Sequence, residues 1–369
     1  MSGFYAGTDV LIAGGGVAGG ALGVKLARCG RQVEILEQSA AMRDKVCGEF
    51  LSVETIAALE RLGIDLRALG AVPIHGVRLH ARRRIAACEL PFAAMSLSRR
   101  VLDEALLGLA ARAGAVVLRR RRVELLEPDA DGWRARLTGG EVRRARAAFL
   151  ATGKHDVAGH RRPRGKQDGL VAFKMYFRLT PAQQRDLDGW VELYLFPGGY
   201  AGLQMIEEGQ TNLCLVVDGG TLTRCHKQWI AVLEHLRRSS DSLSERLDGA
   251  EPLLEKPLAL SSIPYGMLPA DASDGLWRLG DQAAVIPSFA GDGMAIALES
   301  ARLAGEIYTR GGTAAELAQR LRLRLKGSVG VSTTISRLIC AMPNLAQAAR
   351  LWPGALGVLA QRTRVPQEA

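Results

Sequence analysis

A glycine-rich turn near the start of the chain constrains its fold more than any other feature. An apolar run over Asp9–Ala13 leads directly into the sequence GGGVAG at residues 14–19. A helical stretch to Cys29 and a second apolar run over Gln32–Leu36 follow. Gly14, Gly16 and Gly19 allow, in that order, a tight turn, close approach of the backbone to a pyrophosphate and close packing of helix on strand. Because N–H groups at the helix N-terminus also bind anions, the segment predicts a dinucleotide-binding βαβ unit.

Glu37 extends this prediction to the nucleotide itself. It ends the second predicted strand, 18 residues after Gly19, where a carboxylate accepts hydrogen bonds from an adenosine ribose. A free 2′-phosphate at this position would be repelled by the carboxylate. The sequence therefore favours FAD or NAD over NADP at this site.

Composition bounds the class of protein. The 369 residues suffice for about two domains, and 48% hydrophobic with 23% charged residues is typical of a globular enzyme. Since no apolar run reaches the ~18 residues of a membrane span and no cleavable leader is evident, we expect a cytoplasmic protein without a transmembrane segment. The six cysteines lack the spacing of a metal site or a disulfide framework, so we predict no metal.

The net charge of +10 comes largely from arginine, with clusters at 82–84, 119–122 and 161–164. Such clusters are compatible with a nucleic acid, an acidic carrier protein or an anionic membrane surface. Aromatic residues make up only 5% of the chain and provide no stacking platform. We therefore expect a solvated basic surface and no nucleic-acid partner, while an acidic carrier or partner protein that presents the substrate stays open.

The order of predicted elements indicates an α/β protein with two interleaved domains. A Rossmann-like nucleotide-binding domain is predicted over 1–168 and 276–326, with an inserted strand pair at 74–90, and an antiparallel substrate domain over 169–275. A helical tail is predicted for 327–369. The principal predicted strands are Leu170–Leu179, Val191–Phe196, Tyr200–Ile206 and Thr211–Val217, and the principal predicted helices are Val53–Leu62 (capped by Ser52), Ser98–Ala113, Leu222–Leu236, Ala290–Tyr308, Ala314–Lys326, Val329–Ala341 and Leu345–Gln361.

Further segments carry a family resemblance in their order and spacing. They are Lys45–Ser52 (KVCGEFLS), Arg99 in an Arg-x-x-Leu-Asp pattern, Leu150–Gly153, Trp277–Asp281, Pro287 and Gly291–Met294. Together they resemble the single-component flavoprotein monooxygenases of the aromatic-hydroxylase type and their sister group, the geranylgeranyl reductases and flavin-dependent halogenases. The resemblance spans nearly the whole chain, although only the FAD-binding segments are specific.

The resemblance implies FAD as cofactor and assigns several residues to it. Asp281 would bond the ribitol, Arg99 would lie along the cofactor, and backbone N–H groups of Gly291–Met294 would face the flavin pyrimidine edge. A helix that begins near Ala290 would also aim its positive N-terminus at the flavin, while the alternative for Asp281 is a helix N-cap. The expected cofactor contacts are Gly14, Gly16, Ala18, Gly19, Glu37, Gln38, Cys47, Gly48, Arg99, Val123, Thr152, Gly153, Asp281, Gly291, Gly293 and Met294.

Departures from the family patterns narrow the function. Aromatic hydroxylases commonly have Asp-Gly where this chain has Thr152-Gly153, so the usual contacts to NAD(P)H are in question. Lys154, Arg161, Arg162 and Arg164 could hold a nucleotide phosphate instead, or form a solvated loop. Of the prenyl reductases' Tyr-x-Trp-x-Phe-Pro pattern only Tyr200 remains, and the halogenase signature has no match.

Four residues are candidates for catalysis. Glu49, His155 and Tyr265 are candidate acid–base groups, and Tyr200 with Tyr265 could hydrogen-bond a phenolic or carbonyl substrate. Cys47 could be redox-active near the flavin, although a small thiol packed in a turn is the simpler interpretation.

The sequence thus predicts an FAD-dependent monooxygenase that hydroxylates an aromatic or polyketide-like small molecule with NAD(P)H and oxygen. We expect a short, wide pocket lined by Leu193–Phe196, Tyr200–Met205 and Ile263–Leu268. One alternative is a flavin-dependent reductase of carbon–carbon double bonds, similar to the prenyl reductases. Another is a flavoprotein that docks an acidic protein whose tethered group or side chain is modified.

Overall fold

Two mixed β-sheets and their covering helices make up the computed structural model, which describes residues 7–81, 84–269 and 272–341. The strands are β1 (Thr8–Ala13), β2 (Val33–Glu37), β3 (Phe50–Leu51), β4 (Val72–Ala81), β5 (Arg84–Ser96), β6 (Val116–Arg119), β7 (Val123–Asp129), β8 (Gly132–Leu137), β9 (Val142–Leu150), β10 (Leu170–Arg178), β11 (Trp190–Phe196), β12 (Gly199–Met205), β13 (Thr211–Asp218), β14 (Glu251–Pro252), β15 (Leu258–Ser261) and β16 (Trp277–Arg278). The helices are α1 (Val17–Arg28), α2 (Val53–Leu62), α3 (Arg99–Arg112), α4 (Pro181–Leu187), α5 (Gly219–Arg224), α6 (Trp229–Ser239), α7 (Asp241–Arg246), α8 (Gly293–Thr309) and α9 (Ala314–Ala341).

The first sheet contains the predicted βαβ unit. Its strand order is β6-β2-β1-β9-β8-β7, and β16 pairs with β9. Strands β6, β2, β1, β9 and β16 run parallel, so their carboxyl ends share one edge. Helix α1 packs between α3 and α8 over this sheet. A nucleotide is expected at such an edge, where the strands end and the helices begin.

The second sheet has the order β14-β10-β13-β12-β11-β4-β5-β3, with β15 also on β10. The four long strands predicted between residues 170 and 217 are its β10 to β13. Its pairs are antiparallel except that β11 and β4 run parallel. The predicted strand pair 74–90 corresponds to β4 and β5 and extends this sheet, whereas the sequence analysis assigned it to the nucleotide-binding domain. The physical reason is apolar matching, because Val77 and Leu79 lie opposite Val191 and Leu193.

The two faces of the second sheet have different roles. On the outer face, side chains such as Phe173, Leu213 and Leu215 form a core with α6 and α7. On the inner face, Leu195, Tyr200 and Val216 cluster with side chains of the chain's later segments. The candidate substrate site lies on this inner face.

Helix ends follow local backbone signals. Ser52 caps α2 by accepting a hydrogen bond from the Thr55 N–H, as predicted. Ser98, predicted as the first residue of the next helix, is instead the N-cap of α3. The predicted helix Ala290–Tyr308 begins later, at Gly293, because Gly291 adopts a left-handed φ of 74° after a short 3₁₀ turn at Ser288–Ala290.

Two other helix predictions were wrong in extent. The predicted Leu222–Leu236 is divided into α5 and α6 because His226 and Lys227 take positive φ angles. The two helices predicted over 314–341 are one continuous α9, whose buried residues include Leu321, Leu325 and Val329. The predicted helix Leu345–Gln361 lies outside the described residues.

Candidate functional site

The turn between β1 and α1 requires glycine at two positions for steric reasons. A Cβ on Gly14, whose φ is 105°, would lie 2.5 Å from the Ala151 carbonyl oxygen, and a Cβ on Gly19 would lie 1.9 Å from the Gly14 oxygen. Gly16 is different, because its backbone is extended and the nearest atoms to an added Cβ are side-chain ends: Arg99 Nη2 at 3.3 Å, Lys45 Nζ at 3.6 Å and Asp103 Oδ2 at 3.9 Å. Gly14 and Gly19 therefore shape the turn, while Gly16 keeps space open beside it.

Glu37 lies at the same turn, at the end of β2. It is 5% exposed, and its Oε2 accepts a hydrogen bond of 3.0 Å from the Gly15 N–H while its Oε1 accepts one of 2.9 Å from the Ser39 N–H. Gln38 beside it is exposed, and Val123, at the start of β7, is buried in the core of the first sheet. No side chain caps the α1 N-terminus within the described residues, which leaves its N–H groups available to an anion.

Two cations converge on a buried acid next to Gly16. The Arg99 guanidinium donates to both oxygens of Asp103, at 3.0 and 2.9 Å, and Lys45 Nζ donates to Asp103 Oδ2 at 2.7 Å. Burial works to raise the pKa of Asp103, but Arg99 and Lys45 outweigh it and hold that pKa below its usual range. The sequence analysis named Arg99 and missed Asp103 and Lys45, although all three stand in the motifs it quoted.

Asp281 is placed between the first turns of two helices. A Cβ on Gly280 would lie 3.4 Å from the Ala18 Cβ in α1 and 3.5 Å from the Ala297 Cβ in α8. Leu279 occupies the N-cap position of the 3₁₀ turn that contains Asp281, and no side chain caps that turn in the described structure. The helix-cap interpretation of Asp281 is therefore not supported.

The loop before β3 is fixed from two sides. Asn212 of β13 donates from Nδ2 to the carbonyl oxygens of Cys47 (3.1 Å) and Gly48 (2.9 Å). Lys154 Nζ donates to the Val46 carbonyl at 3.0 Å. The six cysteines all carry free thiols, and the Cys47 Sγ accepts a hydrogen bond of 3.4 Å from the Glu49 N–H. The loop thus joins the first sheet to the inner face of the second.

Glu49, a candidate acid–base group, is embedded under this loop. It has a left-handed φ of 61° and no exposed surface. Its Oε1 receives the Lys174 ammonium at 2.5 Å, the Arg99 N–H at 2.8 Å and the Tyr176 hydroxyl at 2.9 Å. Burial raises the pKa of Glu49, and Lys174 opposes that shift most strongly. Lys174 is itself fully buried, so the two side chains form a buried ion pair that the sequence did not indicate.

Two predicted tyrosines meet at a serine. The Tyr265 hydroxyl donates to Ser288 Oγ at 2.9 Å, and the Tyr200 hydroxyl lies 2.9 Å from the same atom. Tyr200 is 3% exposed and Tyr265 is 2% exposed, whereas Ser288 is exposed. Burial raises the pKa of both tyrosines, so both hydroxyls are neutral at physiological pH. Ser288 was missed by sequence reasoning, although it directly follows Pro287.

His155 does not join this buried group. His155 is exposed, and partial desolvation of its ring, together with the nearby cations Arg43 and Arg162, lowers its pKa. The Thr152 hydroxyl donates to the His155 carbonyl at 2.6 Å. The structure therefore separates His155 from Tyr200 and Tyr265.

Room for a cofactor is visible at three glycines of the site. A Cβ on Gly48, Gly153 or Gly293 would meet no atom within 4 Å. The N-terminus of α8, at Gly293, has no side-chain cap among the described residues, and Met294 behind it is buried. Open space beside backbone donors and the cations near Gly16 fits a dinucleotide such as FAD.

Metal-binding groups and membrane-spanning helices are the remaining features to consider among the described residues. No group of three or more His, Cys, Asp or Glu side chains there is arranged to hold a metal ion. None of the described helices is both long and apolar enough to cross a membrane.

Comparisons with known proteins agree with this geometry. Residues 7–158 match the family model of the FAD binding domain. A menaquinone reductase of Mycolicibacterium smegmatis is 27% identical over 323 residues, which cover 82% of this chain and 77% of that protein. The halogenase PltM, solved with phloroglucinol and FAD, has a similar fold (TM-score 0.74, 16% identity, 90% of this chain and 76% of that one).

PqsL of Pseudomonas aeruginosa, solved with 2-aminobenzoylacetate, also shares the fold (TM-score 0.71, 20% identity, 90% of this chain and 96% of that one). At these identities the solved structures show the fold alone, and the family model shows the domain. Residues 7–158 of this chain therefore carry an FAD binding domain, in a chain that shares its fold with PltM and PqsL.

Proposed function

We propose that this FAD-dependent oxidoreductase is a monooxygenase that hydroxylates an aromatic or polyketide-like small molecule, with NAD(P)H as electron donor and oxygen as co-substrate. The observation that carries the proposal is the group formed by Tyr200, Ser288 and Tyr265. Ser288, which joins the group, lies just before the turn at Gly291, where the flavin is expected. Buried, neutral hydroxyls of this kind suit a phenol or a carbonyl as partner.

A count of protons supports this recognition role. The three hydroxyls carry three protons, and the two hydrogen bonds at Ser288 Oγ use two of them. Tyr265 donates to Ser288, so the remaining proton lies on either Tyr200 or Ser288. When Tyr200 donates to Ser288, the remaining proton lies on Ser288, which is exposed and can donate it to an oxygen of the substrate.

The surroundings of the three hydroxyls are apolar. Leu195 and Val216 are buried beside Tyr200, and the Phe289 ring stands edge-on to the Tyr200 ring at 5.8 Å. Such a lining excludes water and lets a few polar groups fix the orientation of a ligand. The solved structure of PltM, in which an aromatic phenol accompanies FAD, is consistent with an aromatic ligand here.

Each part of the chain has a distinct task in the proposed reaction. Bound FAD would supply the electron transfer and the oxygen chemistry. Backbone N–H groups after Gly16, with Arg99 and Lys45, would hold its pyrophosphate, and Asp281 its ribitol. The N–H groups of the Gly291–Met294 turn would face the pyrimidine edge, where negative charge develops on reduction.

The rival function is reduction of a carbon–carbon double bond without oxygen insertion. The menaquinone reductase relative, which matches over 82% of this chain, favours this reading. Both functions use the same FAD binding domain, so the cofactor residues do not discriminate between them. They differ in whether turnover consumes oxygen.

The discriminating experiment follows product mass with and without oxygen. The purified protein is incubated with NADPH or NADH and a panel of phenols, aromatic polyketides and short-chain menaquinone analogues. We expect a phenolic product that gains one oxygen atom and forms only in air. A product that gains two hydrogen atoms and forms equally well under anaerobic conditions would assign the protein to the reductases.

Asp281 provides a direct test of the cofactor placement. Removing a charged acceptor that bonds the ribitol costs ~1.5–3 kcal/mol, so Asp281→Ala is expected to weaken FAD binding by roughly one to two decades. Titration of apoprotein with FAD measures this change. Asp274→Ala is the matched control, because Asp274 pairs with Arg278 at the surface and is 38% exposed. Equal FAD affinity in wild type and a folded Asp281→Ala protein would contradict the placement.

A further inference from the structure

Lys154 is a cation that extends from the end of the first sheet toward the second. It follows Thr152-Gly153, and its Nζ donates to the Val46 carbonyl at 3.0 Å. Its backbone is held on both sides, because Gln282 Nε2 donates to the carbonyls of Gly153 (2.7 Å) and His155 (3.1 Å). The ammonium group therefore has a defined position.

The surroundings of Lys154 lie inside the candidate flavin site. Val46, which accepts its hydrogen bond, packs with Tyr265 in the inner-face cluster. Burial works to lower the pKa of Lys154, but the Asp281 carboxylate and then Tyr265 and Cys47 together outweigh it, so that pKa lies above its ordinary value. Lys154 is thus charged at neutral pH, and the charges that act on it most include the residue expected at the ribitol and a residue expected at the substrate.

The pairing of the other cations distinguishes Lys154 from them. Arg99 and Lys45 are bonded to the Asp103 carboxylate, and Lys174 is bonded to Glu49. The hydrogen-bond partner of Lys154 is a neutral carbonyl. Its charge is therefore not cancelled by a direct ion pair, and its field reaches the space around it.

We propose that Lys154 is the cation that stabilises the negative charge of reduced FAD in this protein. The isoalloxazine ring is neutral when oxidised, and two electrons with one proton leave it with one negative charge. A fixed cation in a site of low polarity stabilises the charged form more than the neutral one. The proposal rests on FAD binding and is independent of whether the product is hydroxylated or reduced.

The test measures the reduction potential of bound FAD, with dithionite as electron source and a reference dye. Lys154→Met and Lys154→Gln are expected to lower the preference for reduced over oxidised FAD about tenfold or more, which is about 30 mV for two electrons. Lys154→Arg keeps the charge and is expected to keep most of the preference. Lys25→Met is the matched control, since Lys25 of α1 pairs with Glu306 of α8 and is 27% exposed.

Lys154→Gln distinguishes the effect of the charge from the effect of the hydrogen bond to the Val46 carbonyl. Gln at position 154 keeps a donor for the Val46 carbonyl and loses only the charge, so an unchanged potential in Lys154→Gln would overturn the proposal. A second readout is the absorbance spectrum of the reduced protein against pH. The anionic form should persist to lower pH in wild type and Lys154→Arg than in Lys154→Gln, and coincident titrations would likewise overturn the proposal.

If the assignment of the FAD site were wrong, the result would differ from a failure of the Lys154 proposal. If wild-type protein bound no FAD at all, the site assignment itself would be wrong and all variants would be colourless alike. If Lys154→Met alone failed to fold, the Arg and Gln variants would still decide the question, because they differ from each other in charge.

Discussion

Gly16→Val is expected to give a folded, colourless protein. The Gly16 backbone is extended (φ −76°, ψ −167°), which a valine adopts without strain. The nearest atoms to an added Cβ are the ends of the Arg99 and Lys45 side chains, which can move aside. The new side chain would fill the space where a pyrophosphate approaches the backbone. The visible absorbance of the purified variant measures bound FAD, and thermal unfolding measures the fold.

A glycine outside the site provides the control for this variant. Gly327→Val in α9 adds the same side chain where no atom lies within 4 Å, and this protein should remain yellow. Stoichiometric FAD in a folded Gly16→Val protein would show that the cofactor is not bound across this turn.

Lys174→Met is expected to lower the free energy of unfolding by about 3–5 kcal/mol, because it leaves the Glu49 carboxylate buried without its cation. Both side chains are fully buried, and the ion pair measures 2.5 Å. FAD binding should weaken as well, since Glu49 also accepts from the Arg99 N–H and helps to fix the loop that contains Cys47 and Gly48. Urea unfolding followed by circular dichroism measures the stability.

Two further variants interpret that result. Lys174→Met combined with Glu49→Gln removes the uncompensated charge and should recover part of the loss. Lys25→Met breaks an exposed pair and should change stability by no more than about 1 kcal/mol. A Lys174→Met protein as stable as wild type would mean that Glu49 is protonated in the native state and needs no cation.

What could be predicted from the sequence was set by local chemistry. The turn at Gly14–Gly19 leaves a clear sequence signature because each glycine is needed for a local steric reason. In the structure, a Cβ added at Gly14 or Gly19 would clash with the backbone. The cap at Ser52 follows the same logic, since a cap bonds an N–H three residues away.

What could not be predicted depends on contacts distant in sequence. The hairpin of β4 and β5 has an alternating pattern that suits the edge of either sheet, and only its pairing with β11, more than a hundred residues later, decides between them. Lys174 and Glu49 lie in separate segments, and neither segment signals the other. Ser288 forms hydrogen bonds with Tyr200 of β12 and with Tyr265 of a later loop, and nothing in the sequence near Ser288 indicates either contact.

The path of the chain between the sheets has a consequence for biosynthesis. The described chain passes from the first sheet to the second after β2, returns for β6 to β9, leaves again for β10 to β15 and returns for β16. Neither sheet is therefore encoded by one continuous segment, and each needs strands made at very different times. Such non-local pairing slows folding and leaves strand edges exposed while synthesis proceeds. The proposed flavin site, which draws on both α1 and α8, can form only after the ribosome has passed Thr309.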